Sequence, residues 1–143
     1  MNNANIQLAV DYYEAINRRD FGVYDSLMTA DITLSAPGGV HVQGTPAVAA
    51  FDRVWTAAFS DFTIIGGFHL ADDQHIVCYN RATGTHDGTL VMPDGSEVAP
   101  TGRHLDAPYF ASFDVRDGHL SSQLIYFDRM LLAEQLGLVP LHA

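Results

Sequence analysis

A chain of 143 residues, 48% of them hydrophobic, has room for one domain of ordinary size with one core. Its formal charge of −10 at pH 7 sets it against phosphate backbones and anionic lipid, which are bound through clustered Lys and Arg, so neither nucleic acid nor a membrane is an expected partner. Cys78 stands alone, which excludes an internal disulfide and a multi-thiolate zinc site, and the start Met1-Asn2-Asn3-Ala4-Asn5 lacks the basic residues and apolar run of a signal peptide, so a soluble cytoplasmic protein is expected.

Ile6, Ala9, Val10, Tyr13 and Ile16 recur at helical spacing, with Asn5 placed to cap the start and Arg18 and Arg19 suited to the C-terminal end. Asp20 can cap a short second helix with Phe21, Tyr24, Leu27 and Met28 on one face. Ile32 and Leu34 predict a short strand before the Pro37-Gly38-Gly39 turn. Thr45-Pro46 opens a third helix, because proline in the first turn forfeits no hydrogen bond, and Ala47, Phe51, Val54, Trp55 and Ala58 continue its stripe.

From Phe62 onward β-branched and aromatic runs predict antiparallel strands over Phe62 to Leu70, His75 to Thr85, Leu105 to Val115 and Leu120 to Phe127. Asp117-Gly118 favours a tight hairpin between the last two. A final helix, Arg129 to Leu136, is stopped by Gly137 and Pro140. Helices first and strands afterwards predict an α+β class.

Gly84-Thr85-His86-Asp87-Gly88, Pro100-Thr101-Gly102-Arg103, Tyr126-Phe127-Asp128 and Gln135-Leu136-Gly137-Leu138 together resemble the SnoaL-like polyketide cyclases and their ester-cyclase relatives, over nearly the whole chain. The resemblance implies a nuclear-transport-factor-like cone, barrel-like in shape, in which N-terminal helices pack on a curved antiparallel sheet and enclose an apolar pocket, often in a homodimer. It also implies an aspartate on the last strand and a histidine on its neighbour as the acid/base pair. Those positions match Ile125 and Ala111, which carry no titratable group. Fold likeness therefore does not carry that mechanism here.

Other residues could supply the chemistry. His104 and Asp106 share one face of a strand, and a carboxylate beside an imidazole raises its basicity. Simple alternation turns them away from Ala111, but a bulge at Pro108 would reverse the parity and bring them inward; an exposed ion pair is the plainer alternative. Asp128 stands where a helix N-cap is required, and inside a cavity it could act as a base. If Ala111 and Ile125 line the cavity, then Tyr109, Phe113, Ser121 and Gln123 share that side, with Tyr109 and Gln123 able to orient a ligand oxygen. His86 and Arg103 could bind a carboxylate or polarise a carbonyl, or could fix the excursion between Asp87 and Gly102. Trp55, with Phe51 and Phe59, belongs either to the core or to the cavity roof.

The histidines at 41, 69, 75, 86, 104, 119 and 142 lack paired ligand spacing, so no metal is expected; no phosphate loop or nucleophile elbow occurs, and no cofactor is expected. Two functions remain open. One is a cofactor-independent cyclase, isomerase or hydratase acting on a hydrophobic carbonyl or ring compound. The other is a binding protein of the same fold for a hydrophobic small molecule. A homodimer is expected through the outer sheet face that carries Phe110 and Leu124.

Overall fold

The computed structural model describes residues 2–139; Pro140 and His142 lie outside them. Helix α1 (Asn3–Arg18) starts earlier than the apolar stripe suggests, because Asn2 caps it by accepting the Asn5 N–H at 3.0 Å. Asn5 instead donates its side-chain amide to the Asp72 carbonyl. The helix ends at Arg19, in the left-handed region, whose guanidinium donates to the carbonyls of Ile16, Ser60 and Phe62. Asn17 pins the same end to β3 by exchanging two hydrogen bonds with the Ile64 backbone.

Asp20 caps α2 (Phe21–Ser26) as its sequence position demands, but Met28 opens β1 (Met28–Ala36) rather than closing that helix. The turn through Gly38 and Gly39 leads into β2 (Val40–Gln43), and α3 (Thr45–Ala58) follows with proline in its first turn. The strands β3 (Thr63–Ala71), β4 (His75–Thr85), β7 (His104–Arg116) and β8 (His119–Phe127) agree with the apolar runs within a residue or two. Two short strands, β5 (Leu90–Val91) and β6 (Glu97–Val98), form a separate hairpin inside the 87–102 excursion. Helix α4 (Arg129–Gln135) closes the described chain.

The six long strands form one curved sheet in the order β2-β1-β8-β7-β4-β3. Every neighbouring pair is antiparallel except β1 with β8, which run parallel, so the sheet is mixed rather than antiparallel throughout. It is open, not a closed barrel. Helix α1 packs on β3 and β4, and α3 packs on β1, β2 and the β5 segment, which leaves a space between helices and sheet. The inner face buries Ile32, Leu34, Ile76, Ala111, Phe113 and Leu120.

The outer face is different. Phe68, Tyr79, Phe110 and Tyr126 are register partners on four successive strands and form one aromatic row, with the first three rings 5.5 and 4.9 Å apart. Phe68, Phe110 and Tyr126 are exposed, as are Leu70, Val77 and Leu124 beside the row. No helix of the structure is long and apolar enough to cross a membrane.

The family-like Gly84-to-Gly88 segment is held against the end of α3. Asp87 and Gly88 both donate to the Ala58 carbonyl, and a Cβ on Gly88 would fall 2.0 Å from the Ala57 carbonyl oxygen. Only glycine permits that approach. Gly88→Ala is therefore expected to destabilise the protein by about 1–3 kcal/mol, the cost of forcing backbone apart in a packed region. Urea unfolding measures this, and an unchanged midpoint would show that the α3 end yields freely.

Candidate active site

Between α1, α3 and the inner sheet face lies a cavity of about 70 Å3. Its walls are mainly apolar, with Ile16, Phe51, Trp55, Phe62, Ile64 and Phe127 among them. Its polar groups are few: Asp52 from α3, Tyr12 and Tyr13 from α1, Tyr109 from β7, Gln123 from β8 and, at the edge, Asp128, of which Asp52, Tyr12 and Gln123 converge through hydrogen bonds. An apolar cavity with a small number of convergent polar groups is the usual form of a small-molecule site.

Asp52 occupies the buried stripe of α3 with Val48 and Ala49, where an apolar side chain is the ordinary occupant. It is 8% exposed and has no cation partner among the described residues. Its carboxylate is held by hydroxyls instead. Tyr12 donates to Oδ2 at 2.9 Å, and the Tyr24 hydroxyl of α2 makes a short bond to the same oxygen. Tyr12 also lies 3.0 Å from Gln123 Oε1.

A phenol carries one proton, so Tyr12 cannot donate to both acceptors at once. It donates to Asp52 when the carboxyl is ionised; when the carboxyl is protonated, that proton can serve Tyr12 and free the phenol for Gln123. The protonation of Asp52 is thus coupled to which oxygen Tyr12 faces.

Burial raises the Asp52 carboxyl from its ordinary 3.8 to about 6, while the hydrogen bonds from Tyr24 and Tyr12 limit the rise. Burial first, and then the neighbouring Asp52 charge, raise the phenols of Tyr12, Tyr24 and Tyr109, so all three remain protonated donors at neutral pH. A carboxyl near 6 beside neutral phenols can take a proton from carbon or oxygen and return it near neutral pH. The stripe pattern of α3 contained the signal for this residue, a charged side chain on an apolar face. Its tyrosine partners come from two other helices and have no spacing relation to it.

Tyr109, Gln123, Ile125 and Trp55 line this cavity. Ala111 and Phe113 are buried on the same sheet face but deeper, with the Phe113 ring edge-on to Tyr12 at 5.3 Å. Ser121 lies where the β1–β8 register shifts and is absent from the wall.

The His104 and Asp106 pair is placed otherwise than an inward bulge would put it. The β4–β7 register runs unbroken from His75/Asp114 to Thr85/His104, so no bulge reverses the parity at Pro108. That proline lies one residue beyond the last β7–β8 pair, Tyr109/Phe127, where the ladder to β8 has already ended. Asp106 consequently faces outward and forms a two-pronged ion pair with Arg81, both side chains nearly half exposed. Its backbone is bonded by the Gln135 side-chain amide of α4 in both directions. His104 is exposed and outside the cavity.

His86 and Arg103 are neighbours through their backbones, His86 donating to the Arg103 carbonyl at 2.8 Å, but neither reaches the cavity wall. The fully buried His86 ring accepts the Thr101 N–H at Nδ1 and lies tilted against the Phe59 ring at 5.3 Å, and burial lowers its basicity. It fixes the 87–102 excursion. The Arg103 side chain packs on Gly137. Asp128 is the N-cap of α4, accepting the Met130 and Leu131 N–H groups at 2.9 and 3.1 Å, and also stands at the cavity edge. Among the described residues no three His, Cys, Asp or Glu side chains gather in a metal-binding arrangement.

The model of the SnoaL-like domain family matches residues 9–123, most of the chain. The protein belongs to the SnoaL-like family. Among solved structures, a candidate SnoaL-like polyketide cyclase from Jannaschia sp. CCS1 superposes with a TM-score of 0.82 at 20% identity, covering 96% of this chain and 94% of that one. IdmH from Streptomyces antibioticus, a candidate polyketide cyclase, gives 0.78 at 22%, covering 95% and 99%. An LEH-like epoxide hydrolase from M. tuberculosis gives 0.71 at 16%, covering 93% and 89%. At these identities the SnoaL-like structures share the fold, and their chemistry stays with them. No curated protein matches the sequence.

The Asp52 assignment has a stability signature. A carboxyl raised in the folded state stabilises fully below about pH 4, and that contribution is lost as pH rises toward about 6. The lost amount is on the order of 3 kcal/mol. Asp52→Asn removes this dependence, so the stability gap between wild type and variant should move in the variant's favour from pH 4 to 6.5 and then level off. Tyr24→Phe, which deletes the largest restraint on the rise, should shift the wild-type transition to higher pH. Urea unfolding across pH measures both, and a gap independent of pH would show that Asp52 titrates normally.

Proposed function

We propose that this SnoaL-like protein is a cofactor-independent acid/base enzyme of the cyclase, isomerase or hydratase type, acting on a hydrophobic carbonyl or ring compound, with Asp52 as its proton-transfer group. The observation that carries this reading is the solitary buried carboxyl on a mostly apolar cavity, poised near 6 between two phenols. An acid/base group works best when its pKa lies near the working pH. Asp52 would remove a proton beside a carbonyl, or accept one from an attacking hydroxyl, while Tyr12 or Gln123 bonds the oxygen on which charge develops. The Tyr13 hydroxyl on the wall has no hydrogen-bond partner by distance and angle among the described residues. A buried unpaired polar group costs roughly 1–3 kcal/mol, which a ligand oxygen would recover.

The volume of about 70 Å3 limits what reaches Asp52 without movement. A dry cavity that accepts benzene is about 150 Å3, so a ring would enter only as wall side chains such as Trp55 and Phe127 move aside. The second reading is a binding protein of the same fold, favoured by the apolar Ala111 and Ile125 at the positions of the implied catalytic pair.

A screen of enolisable ketones, enones and epoxides separates the two. Turnover should fall about 10- to 10,000-fold in Asp52→Asn, the range of general acid/base effects, and wild-type turnover that uses Asp52 as a base should fall as pH drops through about 6, a dependence the variant lacks. Asp128→Asn should stay close to wild type because asparagine caps nearly as well. Full turnover in Asp52→Asn would remove this residue from the mechanism; tight ligand binding without turnover of any compound would favour the binding protein.

We further propose that the outer aromatic row is covered by a second copy of the chain. Exposed apolar patches of this extent mark contact surfaces, and a row crossing four strands can meet itself about a two-fold axis. Sedimentation should give a dimer for the wild type and a folded monomer for Phe110→Lys, whereas a monomeric wild type at micromolar concentration would refute the dimer.

A further inference from the structure

A second cavity, about 340 Å3, adjoins the first along α3. It is bounded by the turn and strand that carry Pro37, Val40 and Val42, by Ala50 and Val54 of α3, and by the excursion that carries Leu90 and Met92. Phe51, Trp55, Phe127 and Leu132 belong to both cavities and form the wall between them. Among its described lining residues only Arg129 is charged.

Arg129 is the basic residue placed on this cavity. All seven basic residues are arginines, against seventeen acidic ones. Arg18, Arg81 and Arg116 hold the carboxylates of Glu14, Asp106 and Asp31, Arg19 holds backbone carbonyls, Arg53 lies over the Phe21 ring, and Arg103 packs on Gly137 away from both cavities. Arg129 has no carboxylate within ion-pair distance among the described residues; Asp94, the acid nearest in influence, accepts from Ser96 instead. The Arg129 guanidinium sits over Gly38, its carbon 3.3 Å from where a Cβ would lie, at the lip of the apolar space. An always-charged fork of donors at the mouth of an otherwise apolar cavity matches a carboxylate on an apolar body.

We propose that this second cavity is a binding site for an apolar carboxylic acid, whose carboxylate pairs with Arg129 and whose hydrocarbon fills the space against Val40, Val54, Leu90 and Met92. The site is independent of proton transfer at Asp52. Trp55, the single tryptophan of the chain, stands in the wall shared by the two cavities and reports occupancy of either, so variants that fill one cavity or the other assign the signal.

The test titrates the full chain with decanoate, decanol and decylammonium below their micelle concentrations and follows Trp55 fluorescence, with calorimetry as a second readout. Decanoate should bind saturably and more tightly than decanol, and decylammonium weakest. Arg129→Gln should weaken decanoate about 2- to 5-fold, the upper part of the range for an exposed ion pair, while leaving decanol unchanged; Arg129→Lys should restore part of the loss. Ala50→Phe, which fills the second cavity, should abolish binding of both, and Ala107→Leu, which narrows only the first, should leave decanoate unaffected. Circular dichroism confirms that each variant is folded, and the Arg129 variants decide the matter alone if Ala50→Phe fails to fold. Equal affinity for all three probes, no effect of Arg129→Gln, loss of decanoate binding in Ala107→Leu, or no saturable signal would each overturn the proposal.

Discussion

The constraint on which the interior depends is the burial of one carboxylate without a cation. Transferring Asp52 from water into an apolar helix face is costly unless hydrogen bonds replace its hydration, and here two phenols from separate helices do so. The bonds draw α1 and α2 onto α3, and Gln123, in reach of Tyr12, extends the network to β8. Aromatic packing reinforces it: the Tyr12 ring stacks on Tyr24 at 5.1 Å and meets Phe113 edge-on. Because hydroxyls satisfy the carboxylate less completely than a guanidinium would, its basicity stays raised, and the same arrangement that joins the helices leaves a group able to exchange protons.

Two adjoining cavities lie along α3, the smaller with Asp52 on its wall and the larger with Arg129 at its edge. Phe51 and Trp55, one turn apart, face both. Their rings, with Phe127 edge-on to Trp55 at 5.7 Å, make the wall between the two spaces one of side chains rather than backbone.

The carboxylates most conspicuous in the sequence are spent on structure. Asp106 neutralises Arg81 on the outer surface, and Asp128 closes the first turn of α4. Asp20 and Asp72 are used the same way, at a helix start and a strand turn. In an acidic chain most carboxylates meet water or backbone amides. The exception is the one whose helix periodicity turns it inward.

The sequence by itself determined the elements and their order, because these follow from local physics: Asp20 and Asp128 cap helices, proline opens α3, and Asp117-Gly118 turns the β7–β8 hairpin with both residues at positive φ. It also determined the family, whose model matches residues 9–123, and the inward face of β8, where Gln123 and Ile125 alternate with exposed Leu124 and Tyr126. What it left undecided needed long-range pairing. Whether Asp106 points in or out rests on the β4–β7 register, which one extra residue would invert. The parallel placement of β1 beside β8 joins segments nearly ninety residues apart, and no local pattern encodes it. The Asp52 cluster is the clearest case: its members lie at 12, 24, 52 and 123 on four elements, and only tertiary packing brings an ordinary aspartate and two tyrosines into a water-poor space where their proton affinities change.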